Sequence, residues 1–201
     1  MSKRLYVAYG SNLNFEQMKY RCPTAKLYGV GTINGYELQF KGSSHSAFAT
    51  IASKEDASVP VAVWEIKPRD ELSLDRYEGY PSHYFKQNVP VQLHGEEVDA
   101  MVYIMNLKMD FGLPSPHYYR TVHQGYVDCG MDTNVLDAAV MNSTRQYYAN
   151  QLDWKPIKVF DITDEDEDFD YEPEDYEDIE ELSADEPMRN DPFYFSDQMH
   201  L

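Results

Sequence analysis

The stretch Leu-Tyr-Val-Ala-Tyr-Gly-Ser-Asn-Leu-Asn, residues 5–14, is predicted to join a strand to a helix through a tight bend. Residues 6–9 are aromatic and apolar, which predicts a short strand. Gly10 permits the bend, and the helix-capping residue types after it predict a helix over residues 13–20. Because free amides gather at the positive end of a helix, the bend is suited to hold a carboxylate or a carbonyl oxygen that becomes negative.

The charge of the chain is divided unevenly along its length. The formal net charge is -18 over 201 residues. Residues 1–160 contain 17 acidic and 16 basic residues, whereas residues 161–201 contain 18 acidic residues and one basic residue. We therefore expect one folded domain over residues 1–160 and an acidic, disordered tail over residues 161–201.

The composition also argues against several classes of protein. No basic run is present that could neutralise a series of phosphates, so we expect no nucleic-acid partner. The chain shows neither a signal peptide nor an apolar run of membrane-spanning length, which predicts a cytoplasmic, soluble protein. Cys22 and Cys129 are too few for a disulfide framework or a zinc site, and His117 and His123 lie too far apart for a helical metal pair. We expect no metal site.

The order of the remaining predicted elements indicates an α+β fold. Further strands are predicted over residues 25–30, 36–40, 48–52, 60–66, 84–93 and 98–105, and further helices over residues 67–78, 116–128 and 134–152. The turn at residues 94–97 predicts that the last two strands form a hairpin. The strands are concentrated in the first 105 residues and helices follow them, which is typical of the α+β class.

Glu78 stands in the last turn of the second predicted helix, directly before Gly79. A carboxylate there lies near the negative end of the helix dipole, so we expect its pKa to be raised. Such a group is a better base than an ordinary glutamate. The alternative interpretation is a solvated residue before a C-terminal glycine.

Three motifs carry a resemblance to a known family. They are Tyr-Gly-Ser-Asn-Leu at residues 9–13, Leu-Asp-x-x-Glu-Gly at residues 74–79 and Pro-Ser-Pro-x-Tyr at residues 114–118. Together they resemble the γ-glutamylcyclotransferases and the related AIG2-like proteins over about residues 4–150. The resemblance implies a small mixed β-barrel of about six strands, flanked by helices, with a pocket at one mouth of the barrel.

The resemblance also implies roles for individual residues. Glu78 would be the catalytic general acid and base. The implied substrate-binding residues are Tyr6, Val7, Ala8, Tyr9, Gly10, Ser11, Asn12, Tyr84, Tyr103 and Tyr118. From the residues alone the tyrosines could equally be packing residues of the sheet and helix, and Tyr119 competes with Tyr118 for its role.

The implied reaction converts γ-glutamyl amino acids to 5-oxoproline and the free amino acid, without a cofactor. The substrate's own α-amine attacks its γ-carbonyl. A γ-glutamylamine, a γ-glutamyl-masked metabolite and glutathione remain alternative substrates, and the polar loop at residues 41–46 does not decide among them. A second hypothesis is a non-catalytic binding module whose acidic tail engages a basic protein. The sequence leaves the oligomeric state open, with a homodimer as one alternative.

Overall fold

A computed structural model describes residues 4–106 and 108–151. Its strands are β1 (Arg4–Ala8), β2 (Lys26–Ser43), β3 (Ser46–Ile66), β4 (Tyr84–Leu93) and β5 (Glu96–Met105). Its α-helices are α1 (Phe15–Arg21), α2 (Pro68–Tyr77), α3 (Pro116–Asp128) and α4 (Thr133–Gln151). The predicted acidic tail at residues 161–201 lies outside the described residues, as does residue 152 at the end of the last predicted helix.

The five strands form a closed barrel in the order β1, β3, β2, β4, β5. The barrel closes where β1 runs parallel to β5, with Tyr6 opposite Met101 and Val7 opposite Val102. The other neighbouring strands are antiparallel, including the predicted hairpin of β4 and β5. The expected α+β fold, a mixed barrel flanked by helices, is confirmed.

The strands β2 and β3 are longer than the sequence predicts. β2 covers the segments predicted at residues 25–30 and 36–40, and β3 covers those predicted at residues 48–52 and 60–66. The register between β2 and β3 shifts between Asn34 and Tyr36, where Gly35 has a φ of 78°. Gly35 therefore supports a β-bulge inside a continuous strand instead of a turn between two strands.

The first helix begins two residues later than predicted. Ser11–Leu13 form a turn of 3-10 helix, and α1 then starts at Phe15. The side chain of Asn14 accepts a hydrogen bond of 3.0 Å from the backbone N–H of Gln17, which makes Asn14 the N-cap. No helix in the described part of the chain is long and apolar enough to cross a membrane.

The barrel and the helices share one hydrophobic core. Its fully buried side chains come from β1 to β5 and from α2, α3 and α4, for example Val7, Ile51, Leu74, Val91, Val102, Tyr126 and Leu136. The apolar face predicted for the last helix takes part in this core through Leu136 and Ala139. The barrel wall and the helices around it therefore hold one another in place.

Helix α3 lies directly against the connection between β1 and α1. A Cβ atom built at Gly125 would lie 2.5 Å from the Cβ atom of Leu13 and 2.6 Å from the backbone nitrogen of Asn14. At the other end of the helix, the Ser115 hydroxyl accepts a hydrogen bond from the N–H of Tyr118 and caps α3. The fold thus fixes α3 against the bend.

Candidate active site

The bend after β1 is present where the sequence predicts it. The chain leaves β1 at Ala8, turns at Gly10 and continues into the 3-10 turn, where the N–H of Leu13 donates to the carbonyl oxygen of Gly10 at 2.9 Å. Both Ser11 and Asn12 are buried. Since buried polar side chains need partners, their contacts show what the bend faces.

One of those partners is Glu78. The side-chain nitrogen of Asn12 donates a hydrogen bond of 3.1 Å to Oε1 of Glu78, although 66 residues separate the two in sequence. Glu78 is the residue directly after α2, and Gly79, with a φ of 61°, ends the helix behind it. The end of α2 and the bend after β1 therefore meet at one point.

The Glu78 carboxyl group has an altered affinity for protons. Burial raises its pKa to about 7, while the positive charge of Arg21 and the hydrogen bond from Asn12 act in the opposite direction. The direction of the shift is the predicted one, but its main cause is burial of the carboxyl group, whereas the sequence pointed to the helix dipole. With a pKa near neutrality, the group can both accept and donate a proton at neutral pH.

Tyr118 and Tyr84 meet at Ala49, next to the bend. The Tyr118 hydroxyl accepts a hydrogen bond of 3.2 Å from the N–H of Ala49, and the Tyr84 hydroxyl donates to the carbonyl oxygen of Ala49 at 3.3 Å. A Cβ atom at Gly10 would lie 3.1 Å from the Tyr118 hydroxyl oxygen. Burial is the main cause that raises the pKa of both tyrosines, and the charge of Glu78 adds to the shift. These hydroxyls therefore remain neutral donors near Glu78.

Tyr6, Tyr9 and Tyr103 form the barrel wall beside this point. The Tyr6 hydroxyl accepts a hydrogen bond of 2.8 Å from the side-chain nitrogen of Asn12, and its ring contacts the ring of Tyr103 edge to face. The Tyr9 hydroxyl donates to the backbone oxygen of Tyr103 at 2.6 Å. The Tyr103 hydroxyl itself donates to Asp75. In this arrangement Tyr103 supports the wall with its ring and backbone, while its hydroxyl is engaged by α2.

Val7 and Ala8 are core residues of β1. Each is 1% exposed, and they pair with Val63 and Ala62 of β3. Their side chains have no polar groups to offer a substrate. Their observed part in the site is to anchor the strand from which the bend projects.

A separate surface groove shares no residue with this cluster. It has a volume of about 360 Å³ and is lined by residues of β2, β3 and the segment from residue 130 to residue 135. Its lining includes the side chains of Thr32, Ser58, Met131 and Asp132. We locate the candidate active site at the cluster around Glu78, because the carboxyl group with the raised pKa and the tyrosine hydroxyls lie together there.

Comparison with known proteins identifies the family. The family model described as gamma-glutamyl cyclotransferase, AIG2-like, matches residues 6–125. The chain belongs to this family. The matched region contains all of the barrel except the first two residues of β1, together with the bend and all the predicted site residues from Tyr6 to Tyr118.

Individual members of the cyclotransferase family agree with this assignment. The gamma-glutamylcyclotransferase of Bos taurus is 30% identical over 139 residues, which are 63% of this chain and 72% of the bovine protein. That of Homo sapiens is 30% identical over 137 residues, with the same two shares. A solved structure of a gamma-glutamyl cyclotransferase is 28% identical, has a TM-score of 0.63 and covers 69% of this chain and 86% of its own.

Two residues of the candidate active site, Arg21 and Tyr77, were not predicted from the sequence. Arg21 donates from Nη1 to Oδ1 of Asn12 at 2.7 Å and to Oγ of Ser11 at 3.1 Å. Its guanidinium carbon lies 3.6 Å from the centre of the Tyr77 ring, and the Tyr77 hydroxyl shares a hydrogen bond of 3.1 Å with Ser11. Tyr77 could have been noticed as the neighbour of Glu78, but Arg21 resembles any basic residue in the last turn of a helix.

Proposed function

We propose that this protein is a γ-glutamylcyclotransferase that converts γ-glutamyl amino acids to 5-oxoproline and the free amino acid. The observation that carries the proposal is the contact between Glu78 and Asn12, which joins a carboxyl group of pKa about 7 to the bend of the family motif. The family assignment supports an enzyme of this type.

In the proposed reaction, the α-amine of the γ-glutamyl group attacks its own γ-carbonyl carbon. A carbon–nitrogen bond forms and closes the five-membered ring, and the bond to the departing amino acid breaks. Overall the attacking nitrogen goes from an ammonium group to the lactam N–H and loses two protons, and the leaving nitrogen gains two as it becomes the ammonium group of the free amino acid. Nucleophile, electrophile and leaving group all belong to the substrate, so the chemistry calls for no cofactor.

Glu78 is the proposed general acid and base. Near neutral pH the substrate's α-amine is protonated and cannot attack, so a carboxylate must first remove a proton. The same carboxyl group can then deliver that proton to the departing amine. A pKa of about 7 suits both steps, because neither the protonated nor the ionised form is rare at neutral pH.

The bend and the tyrosines supply the remaining requirements in this proposal. Backbone amides of residues 9–12 would hold negative charge on a substrate oxygen, either the α-carboxylate or the γ-carbonyl oxygen during attack. The hydroxyls of Tyr84 and Tyr118 would hold the glutamyl chain in its folded, cyclising shape. Holding the two reacting atoms together lowers the entropic part of the barrier.

A panel of substrates tests the proposed function. The protein is incubated with γ-glutamyl amino acids, a γ-glutamylamine and glutathione, and both 5-oxoproline and the released amine are measured. We expect equimolar release from γ-glutamyl amino acids such as γ-glutamyl-L-alanine. Release from the γ-glutamylamine or from glutathione alone would reassign the substrate, and no release from any substrate would contradict the proposal and favour a binding module.

The wider setting of the enzyme remains a prediction from the sequence. We propose a cytoplasmic location, and we retain a homodimer and a basic protein partner for residues 161–201 as proposals. Size-exclusion chromatography with light scattering tests the first association. Co-purification with and without residues 161–201 tests the second.

A further inference from the structure

Arg21 occupies a position beside the proposed catalytic base that the proposed reaction does not use. Its guanidinium group is held on three sides, by Asn12, by Ser11 and by the ring of Tyr77. Arg21 itself is partly buried. An arginine that is stacked and hydrogen-bonded in this way has a fixed direction for its donors.

The guanidinium group decides how the Asn12 amide is oriented. Arginine offers only donors, so the group of Asn12 that faces Arg21 has to be the oxygen, Oδ1. The nitrogen of the same amide then points the other way. There it donates both to the Tyr6 hydroxyl at 2.8 Å and to Glu78 at 3.1 Å.

The orientation matters for Glu78 because the two ends of an amide have opposite effects on a carboxylate. An amide nitrogen donates to the ionised form and stabilises it, whereas an amide oxygen in its place would repel it. We propose that Arg21 is a positioning residue for Glu78, which holds the Asn12 amide with its nitrogen toward the carboxylate.

The other titratable groups near Glu78 in the described part of the chain are uncharged or paired with an opposite charge. The charge of Glu78 acts on the pKa of six titratable groups from other elements, Tyr6, Tyr9, Tyr84, Tyr103, Tyr118 and Cys22. Burial is the main cause that raises the pKa of each, so all of them are uncharged near neutral pH. On the helix of Glu78 itself, the charge of Asp75 is matched by Lys86 at 2.6 Å. Among the described residues, Arg21 is the cation that acts on the pKa of Glu78.

The test measures the protonation of Glu78 directly, without a substrate. The side-chain carboxyl carbon of Glu78 is followed by NMR as a function of pH, and its signal is assigned by its loss in Glu78→Gln. In Arg21→Met we expect the midpoint to rise by about one pH unit, because a charge and the amide orientation are both lost. Arg76→Met is the matched control, since Arg76 is exposed and lies two residues before Glu78. We expect no rise there.

A double-mutant cycle separates positioning from the bare charge. If Arg21 acts through the amide, the rise caused by Arg21→Met becomes smaller when Asn12 is already changed to alanine. An equal rise in both backgrounds, no rise in Arg21→Met, or the same rise in Arg76→Met would overturn the proposal. Should Arg21→Met fail to fold, Arg21→Lys keeps the charge but not the planar fork, and we expect a smaller rise of the same sign.

The proposal rests on the proposed function only for its consequence in catalysis. If Glu78 is the base, the acidic limb of kcat/KM in Arg21→Met moves with the NMR midpoint. A midpoint that moves while the rate profile stays fixed would contradict the role of Glu78 as the base and support the positioning role of Arg21. A wild-type protein without cyclotransferase activity would refute the proposed function, and the NMR measurement would still decide on Arg21.

Discussion

Glu78 owes its place in the site to two features of its surroundings. Its position at the end of α2 brings it to the bend, and burial then raises its pKa to about 7. An ordinary glutamate would be ionised at neutral pH and would return a proton only rarely. The environment of Glu78, more than its chemical type, makes it suitable for moving a proton in both directions.

The pH dependence of the rate follows from this pKa. In the proposed mechanism the ionised carboxylate is the form that removes the substrate's proton, so protonation of Glu78 would inactivate the enzyme. We predict that kcat/KM falls about tenfold for each pH unit below a midpoint near 7. Steady-state rates with γ-glutamyl-L-alanine between pH 5 and 9 measure it. A profile that stays flat down to pH 5 would show that another group acts as the base.

A second prediction concerns the hydroxyl group of Tyr118. Its hydroxyl lies against Gly10 and Ala49, where the proposed function places the substrate. We predict that Tyr118→Phe raises KM by about tenfold with a smaller effect on kcat, since one hydrogen bond is lost. The control is Tyr119→Phe, whose hydroxyl donates to Asp137 at 2.6 Å. An unchanged KM and kcat in Tyr118→Phe would remove this hydroxyl from substrate binding.

The sequence predicted some of these residues and not others for a physical reason. Glu78 and Tyr118 stand in short local motifs, next to the glycine or proline that ends or begins a helix. The contact of Arg21 with Asn12 depends on how α1 folds back onto the bend, and its contact with Tyr77 depends on how α1 meets α2. No local sequence pattern encodes either contact, so the sequence did not identify Arg21 as a residue of the site.

Helix α3 connects the packing of the fold to the geometry of the site. At Gly125 its backbone lies so close to the bend that even one added carbon atom would collide with Leu13. The same helix carries Tyr118 at its other end. A change that displaces α3 at residue 125 should therefore also move Tyr118 and alter the geometry of the site.

We predict that Gly125→Ala lowers the free energy of unfolding by about 1–3 kcal/mol, because the helix must move to admit the side chain. We also expect a higher KM, since Tyr118 moves with the helix. Thermal unfolding and steady-state kinetics measure the two effects. Gln124→Ala is the control, as Gln124 is exposed on the same helix. Wild-type stability and kinetics in Gly125→Ala would contradict the observed close packing.

At the level of elements, the sequence predicted the kinds of structure better than their extent. The β4–β5 hairpin and the start of α3 were predicted because a turn and a cap mark them locally. The continuity of β2 was not predicted, because in the sequence a glycine in a bulge looks the same as a glycine in a turn. Barrel closure between β1 and β5 joins segments about 95 residues apart, and only the family resemblance implied it.

The whole molecule combines a nearly neutral domain with a strongly acidic C-terminal segment, as the sequence shows. The matched family region ends at residue 125, far before that segment begins. The described site is built from residues 6 to 118 alone. Nothing in the proposed chemistry therefore draws on residues 161–201.

We predict that a protein truncated after residue 160 keeps kcat and KM within about twofold of the full chain. Both kinetic constants are measured at two salt concentrations. Salt screens any long-range repulsion between the acidic tail and an anionic substrate. Steady-state kinetics of both proteins with γ-glutamyl-L-alanine provide the comparison. A KM that changes on truncation would show that the tail influences the site around Glu78.

Proton transfer by Glu78 at the bend is tested by the variant Glu78→Gln. The exchange keeps the size of the side chain and removes its ability to take a proton. We measure release of 5-oxoproline from γ-glutamyl-L-alanine by wild type, Glu78→Gln and the exposed control Glu96→Gln, with circular dichroism to verify folding. If Glu78 transfers the proton, Glu96→Gln releases 5-oxoproline like wild type, and a folded Glu78→Gln loses at least about a hundredfold in kcat. Near-normal turnover by Glu78→Gln would contradict this role of Glu78.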